Sequence, residues 1–453
     1  MFESVRSYNQ FVSDIKKNHN TLILYAVPFD EDIHPCATDV AAVFIKDVET
    51  KETHCVSFGH TDIPTIIDKI TFVNDFNDLM WNRKWVFDKK SFIQLLPMKG
   101  LFDFNLYKHL WEGYTLDKTT YETPAHKFIY RSKVGQSHLN NAVPLLKHKE
   151  MFDALCHEIM ETTALGANVD NGFRNENEII IETLAELESN GICVDPQLFN
   201  GYFNARIHSG NLVYSQYNIY TATGRPSNHF ENVNYAALNK DNGVRRCFVS
   251  RYGKDGKIVL IDYSAFHPRI ISYLINFPID INTDIYKYLG NMFFKREITE
   301  YDMDEIKKIT FRQLYGGVED KYEHIKYFAN LKEFINKNWA DFTKNKFVLT
   351  PLFQRQITDR HVADPNPSKL FNYILQATET ELAIPVVKSV NEYLREKKTK
   401  AVLYTYDSLM LDFHKDDGVK VLDEIMKIMK MGERFPIKVE IGDSYDSINQ
   451  IYP

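Results

Sequence analysis

Two stretches of the chain are apolar almost without interruption, and each carries an aspartate in a costly place. Lys257-Ile258-Val259-Leu260-Ile261 runs directly into Asp262, and the apolar run from Leu403 to Leu411 encloses Asp407. Continuous apolar runs of this length predict strands buried on both faces. The second run is broken in its middle, which predicts a hairpin whose tight turn pushes Asp407 outward. Upstream, 21–29 (TLILYAVPF), 36–48 and 53–60 read as strands, while 104–116 and 149–165 place apolar residues at helical spacing. Strands followed by helices predict an α/β domain over roughly the first third. The Gly/Asn-rich stretch 166–175 (GANVDNGFRN) marks a boundary. A helical pattern over 175–189 follows it, stopped at Asn190-Gly191 with the glycine placed as a C-terminal cap. Lys307, Phe311 and Tyr315 recur every fourth residue ahead of Gly316-Gly317, so they share one face of a further helix.

Composition narrows the class. The 453 residues are 44% hydrophobic and 25% charged, with 26 Tyr and 31 Phe. That is globular composition with ample material for a core, and it excludes disordered, collagen-like and disulfide-stapled chains. There are 54 basic against 61 acidic residues, a net charge of −7, so any grip on nucleic acid must come from a local basic cleft. Five scattered cysteines (Cys36, Cys55, Cys156, Cys193, Cys247) without a C-x-x-C pair point to a reduced compartment and away from structural zinc. The first twenty residues lack the apolar core of a signal peptide, and no run approaches the ~20 apolar residues of a membrane helix. These features predict a soluble, cytoplasmic protein with no membrane partner.

An aspartate at the tip of a buried strand must be paired, hydrogen-bonded or metal-bound. Asp262 and Asp407 could each simply cap a strand or turn. They could also meet across a sheet and hold two divalent cations ~3.5–4 Å apart, the arrangement of two-metal phosphoryl transfer. The face Lys307–Phe311–Tyr315 suits a grip on triphosphate, sugar and base, and equally fits an amphipathic core helix with a solvated lysine.

Taken together these segments resemble the A-family DNA polymerases, the family of the large fragment of bacterial DNA polymerase I. Thr221-Ala222-Thr223-Gly224-Arg225-Pro226-Ser227 is similar to the family's TGR-x-S segment, whose arginine contacts the primer end. Ile261-Asp262-Tyr263-Ser264 with Arg269 resembles motif A, the helix from Lys307 to Gly316 motif B, and Tyr406-Asp407-Ser408 motif C. Asn372 and Gln376 resemble the N-x-x-x-Q segment that follows the minor groove, and FPIKVEIGDSYDSI resembles the terminal strand. The segments stand in the family's order over residues 176–453.

The resemblance implies a fold and a chemistry. The fold would be a degenerate RNase H-like α/β exonuclease domain at 1–165, followed by an α+β right-hand polymerase domain at 176–453. Within it, 176–220 would be a reduced thumb region, 221–285 and 370–453 the palm, and 286–369 the fingers. Asp262 and Asp407 would hold two Mg²⁺ ions, with Mn²⁺ as a substitute and the Tyr263 carbonyl as a further ligand. Lys307 would neutralise the incoming triphosphate. Phe311 and Tyr315 would pack on the nascent base pair and sugar, while Arg225, Asn372 and Gln376 would face the minor groove. The partners implied are primer-template DNA, deoxynucleoside triphosphates and a processivity factor, acting on a monomer from a phage, plasmid or organelle.

The chain departs from the family in several places. His267 stands where a glutamate helps exclude a ribose 2′-OH. Imidazole is bulky enough to obstruct and titrates near neutrality, so sugar discrimination would depend on pH; alternatively His267 fills space beside Tyr315. Met303 replaces an arginine one turn before Lys307, and Lys240, Arg245 or Arg246 would supply the missing cation. Ser408 replaces the motif C glutamate. Residues 196–220 are too few for the paired long helices of a thumb. In the N-terminal domain, Tyr25-Ala26-Val27-Pro28 stands in place of Asp-x-Glu, and Lys149 in place of a tyrosine. Asp88 and Asp153 would match two later carboxylates, and Asp30, Glu31 and Asp32 read as a solvated loop. An incomplete ligand set implies a structural remnant. The alternatives are a single-subunit RNA polymerase or ribonucleotide-tolerant enzyme, and an inactive polymerase-like accessory protein.

Overall fold

The computed structural model describes residues 4–30, 33–112, 144–163 and 171–452. The chain forms two compact units that part between Ser189 and Asn190.

In the first unit, helix α1 (Val5–Asn18) starts at a capping box on Ser4 and leads into strand β1 (Leu22–Pro28). This strand lies at the middle of a five-stranded sheet of order β3-β2-β1-β4-β5, with β2 (Val40–Asp47), β3 (Thr53–Ser57), β4 (Lys84–Val86) and β5 (Leu101–Asp103). The pairs β1–β2 and β2–β3 are antiparallel, and β1–β4 and β4–β5 are parallel. The apolar run LILYAVP is explained by its position. Leu22, Leu24 and Ala26 enter one core with Phe72 and Phe76, while Ile23 and Val27 enter another with Phe152 and Leu155. A strand buried on both faces cannot alternate polar and apolar residues. Helices α2 (Lys69–Asn77), α3 (Lys89–Leu95), α4 (Phe104–Glu112), α5 (Leu145–Thr163) and α6 (Asn171–Ser189) complete the unit.

The expected domain start at residue 176 differs from this division. Helix α6 begins at Asn171, inside the Gly/Asn-rich stretch, and is held by α3. Buried Lys89 pairs with Glu178 at 3.3 Å and Glu182 at 2.8 Å, and buried Lys90 pairs with Glu188. Two buried ammonium groups require these acids, so the helix stays with the N-terminal unit. The chain leaves through Gly191 at φ 61, the left-handed conformation that a C-terminal cap needs.

The second unit is built on a fully antiparallel sheet of order β14-β15-β11-β16-β17. Ahead of it come β6 (Ile192–Cys193), helix α7 (Pro196–Tyr202), β7 (Leu212–Val213), β8 (Tyr217–Asn218), β9 (Ser227–Phe230) and β10 (Val233–Asn234). The central strand β11 (Gly256–Tyr263) is the apolar run ending in Asp262. Helices α8 (Phe266–Leu274), α9 (Ile285–Phe294), α10 (Met303–Gly316) and α11 (Lys326–Asn345) follow, then the hairpin of β12 (Phe347–Leu349) and β13 (Gln356–Thr358). Helix α12 (Pro367–Leu394) is the long spine of the unit, packing on α8, α10, α11, β14 and α13 (Gly418–Met429). Strands β14 (Lys400–Thr405), β15 (Ser408–His414), β16 (Ile437–Gly442) and β17 (Asn449–Tyr452) close the sheet. Between Asp195 and Thr221 the only helix is the seven-residue α7. Among the described residues no helix is long and apolar enough to cross a membrane.

Candidate active site

The two apolar aspartate-bearing runs are neighbours. Strand β15 pairs with β11 in the register Leu260↔Met410, Ile261↔Leu409 and Asp262↔Ser408. Strands β14 and β15 are joined by a two-residue turn, Tyr406-Asp407, with Tyr406 at φ 61. The turn sits against the end of β11, where the Tyr263 amide donates to the Asp407 carbonyl at 2.9 Å. One residue beyond the Asp262↔Ser408 pair therefore lies Asp407, and both carboxylates belong to the same end of the same sheet.

Their environment is hostile to charge. Burial, then the neighbouring Asp407, pushes the Asp262 carboxyl up to about 7. Lys438, directly opposite it on β16, and Lys240 pull the other way without offsetting this. Burial and Glu379 likewise raise Asp407. Asp262 Oδ1 is buried without a hydrogen-bond partner. An orphaned carboxylate oxygen beside a second acid is what a divalent cation satisfies. Among the described residues no group of three His, Cys, Asp or Glu side chains is placed to hold a metal ion by itself. A site of two carboxylates, completed by phosphate oxygens and water, matches the way Mg²⁺ is bound. The Tyr263 phenol is committed elsewhere, donating to the Met429 carbonyl at 2.8 Å and stacking on Phe266. Only its main chain is available to a metal.

The sign of the Asp262 effect gives a prediction. The folded protein holds a proton on this group between about pH 4 and 7, where the unfolded chain does not, so the carboxylate costs stability as pH rises through that window. Without divalent cations, Asp262→Asn is expected to be more stable than the wild type at pH 8 by on the order of 2 kcal/mol. That advantage should shrink by more than half at pH 5. Thermal unfolding of both proteins in chelator at the two pH values checks it; a pH-independent difference would refute the assignment.

Beyond β11 the chain turns through Ala265 in the left-handed conformation and enters α8, which carries His267. Its Nδ1 lies 2.6 Å from the Tyr315 hydroxyl at the end of α10. Burial, then Glu379, pushes that phenol up to about 12. Lys307, Phe311 and Tyr315 are all exposed on one face of α10, and Phe311 stacks on Tyr315 with ring centroids 5.9 Å apart. Tyr286 of α9 backs this face, edge-on to Phe311 at 6.1 Å and 5.9 Å from the Lys307 ammonium. The helix thus presents its cation and two rings outward instead of burying them. Arg269 is buried and donates to the carbonyls of Asp280, Ile281 and Thr283, fixing the loop ahead of α9.

The remaining expected residues separate into two groups. Arg225 lies on the Tyr406 ring, its guanidinium carbon 3.5 Å from the centroid, and pairs with Glu379 of α12 at 2.6 Å. Asn372, earlier on α12, donates to the Tyr315 carbonyl at 3.1 Å and so caps the end of α10. Gln376 is half-buried one turn further along α12. Lys240 is exposed and acts on Asp262. Arg246 does not join this group: it pairs with Asp446 at 3.0 Å on the surface. Arg245 is spent on the Leu238 carbonyl and the Tyr445 ring.

Glu379, Tyr286, Lys438 and Arg355 are absent from the sequence-based set, and Tyr406 enters it only as part of the motif C segment, with no role of its own. Arg355 is buried and donates to the Ala222 carbonyl at 2.9 Å. A Cβ on Gly224, at φ 74, would stand 1.6 Å from its Nη1. The glycine of the TGR segment therefore makes room for an arginine 131 positions later in the chain. The sequence does not single out Glu379, because the same helix carries a second buried carboxylate, Glu381, two residues later.

No protein-family model matches the chain. A DNA polymerase of Bacillus phage SP01 is 27% identical over 296 residues, covering 54% of this chain and 32% of that protein. The chain thus spans about a third of that relative's length. Among solved structures, the POL domain of Pol1 from M. smegmatis, in complex with DNA primer-template and dNTP, superposes with a TM-score of 0.71. It is 14% identical, with 98% of this chain and 99% of that chain covered.

Proposed function

We propose that this chain, whose fold is that of an A-family DNA polymerase, is a template-directed DNA polymerase that extends a primer 3′-OH with deoxynucleotides and releases pyrophosphate. The supporting observation is that Asp262 and Asp407, 145 residues apart, share one sheet end with an orphaned carboxylate oxygen. The residues present fit divalent cations. Two bound Mg²⁺ ions would supply Lewis-acid stabilisation of the attacking and leaving oxygens. Asp262 and Asp407, deprotonated as such ions bind, would supply the negative charge that they require. Lys307 stands on the exposed face of α10, where it meets the charge of a triphosphate. Phe311 and Tyr315 offer flat apolar surfaces to base and sugar, and His267 borders the sugar through Tyr315. Primer extension with Mg²⁺ and all four deoxynucleotides tests the reading, and absence of any template-dependent product would overturn it.

With one seven-residue helix between Asp195 and Thr221, the chain has little to wrap a duplex there. Fewer phosphate contacts mean weaker, more salt-sensitive binding. The isolated protein should therefore add few nucleotides per encounter and depend on a processivity partner. Products from single binding events, measured with a DNA trap, check this; long products would refute it.

The N-terminal unit reads as an exonuclease-like remnant. Its mixed sheet suits that origin, but the acids in it are occupied otherwise. Asp88 caps α3, accepting from the Ser91 amide at 3.2 Å, and Asp153 pairs with Lys149 at 2.6 Å on the surface. Asp103, pushed up to about 8 by burial and Asp88, accepts from the Lys89 and Leu106 amides. Glu31 and Asp32 lie outside the described residues. Asp88→Ala is expected to lower stability by about 1 kcal/mol, as the loss of a helix cap does, and to leave single-stranded primers as intact as the wild type leaves them. Chemical denaturation and a degradation assay measure the two effects.

A further inference from the structure

Glu379 is 1% exposed, in the interior of α12, between Thr378 and Thr380. Those hydroxyls donate to the carbonyls of Ile374 and Gln376 on their own helix, so neither serves the carboxylate between them. A buried carboxylate must find partners elsewhere. Arg225 Nε stands 2.6 Å and Nη2 3.2 Å from its two oxygens, and His267 Nε2 is 3.1 Å from Oε1. The other imidazole nitrogen is the one 2.6 Å from the Tyr315 hydroxyl. Arg225 in turn lies on the ring of Tyr406, the residue before Asp407 in the hairpin turn. One carboxylate thus joins the 221–226 turn, the start of α8, the end of α10 and the β14–β15 turn.

We propose that Glu379 is a positioning residue that sets the discrimination between deoxyribo- and ribonucleoside triphosphates by holding His267 in one fixed arrangement, while anchoring Arg225 beside it. This rests on the polymerase reading above and goes beyond it. A ring that is to exclude a 2′-hydroxyl must not yield, and an imidazole without a backing partner rotates broadly about its second side-chain torsion. The His267 ring is held between two groups, with Nε2 3.1 Å from the Glu379 carboxylate and Nδ1 2.6 Å from the Tyr315 hydroxyl. The tyrosine ring that faces the nucleotide is thereby tied, through histidine, to the spine of the unit. The same carboxylate holds the arginine expected beside the primer end, so sugar choice and primer placement share one anchor.

Glu379→Gln keeps the shape and removes the charge, and charge-assisted hydrogen bonds are roughly twice as strong as neutral ones. The preference for dNTP over rNTP, as a ratio of kcat/KM, should fall roughly tenfold, the scale of one hydrogen bond to a charged group. In a His267→Ala background the same substitution should change the ratio less than twofold, because the residue it acts through is gone. Tyr315→Phe, at an exposed position, should show the same loss if Glu379→Gln fails to fold. The preference is read a second way, as dNTP or rNTP stabilisation of a complex with dideoxy-terminated primer-template, which needs no turnover. An unchanged ratio in Glu379→Gln, or an equal fall in both backgrounds, overturns the inference while wild-type extension leaves the polymerase reading standing. Absence of wild-type extension removes that reading, and the binding preference then decides the inference by the same two criteria.

Discussion

Asp407→Ala and Asp262→Asn are each expected to abolish primer extension, with losses of about 10³-fold or more, the several kcal/mol that metal ions supply to developing charge. Asp262 ends one strand and Asp407 lies in the turn leading into the neighbouring strand of the same sheet, and burial raises both carboxyls. A protein that only needed rigidity here would gain by losing either charge. Retaining two like charges in a desolvated place makes sense where cations neutralise them on use. The double variant should be scarcely worse than either single one, since both act through the same bound ions. Folding is checked separately by thermal unfolding, because Asp262→Asn is expected to stabilise the metal-free protein. A variant that keeps a tenth of wild-type extension would refute the assignment.

Lys307→Ala is expected to lower kcat/KM for nucleotide addition by about 10²-fold, the scale of losing one preorganised donor at developing charge. Lys307 is exposed, with its ammonium 5.9 Å from the Tyr286 ring. Its removal should therefore change stability by no more than about 0.5 kcal/mol, as surface substitutions do. Lys307→Arg should recover part of the loss, because a guanidinium also neutralises phosphate. Single-nucleotide incorporation kinetics separate the cases. A loss confined to KM for primer-template, with nucleotide binding intact, would place Lys307 on the DNA instead.

Much of the site was legible because it is local. Asp262 ends an apolar strand, Asp407 interrupts another, and the spacing of Lys307, Phe311 and Tyr315 defines a helical face; each follows from periodicity within a dozen residues. The structure places all five in one unit, with the aspartates as strand-end neighbours and the three others exposed on α10. Arg246 illustrates the opposite case. Nothing within the surrounding LNKDNGVRRCF reveals that its partner is Asp446, 200 residues later. The same limit applies to the boundary at Ser189, which depends on which acids two buried lysines of α3 reach.

The amino-acid sequence by itself determined the strands, the hairpin turn and the helical face, because periodicity, turn chemistry and the cost of burying charge act over short distances along the chain. Only the tertiary structure decided which groups answer one another. Glu379 meets His267 and Arg225, Arg355 fills the space that Gly224 leaves, and Lys438 stands opposite Asp262. Buried polar groups must be satisfied, but the requirement does not say by whom. That choice is made by the packing of segments distant in sequence, where the three-dimensional fold alone brings partner and vacancy together.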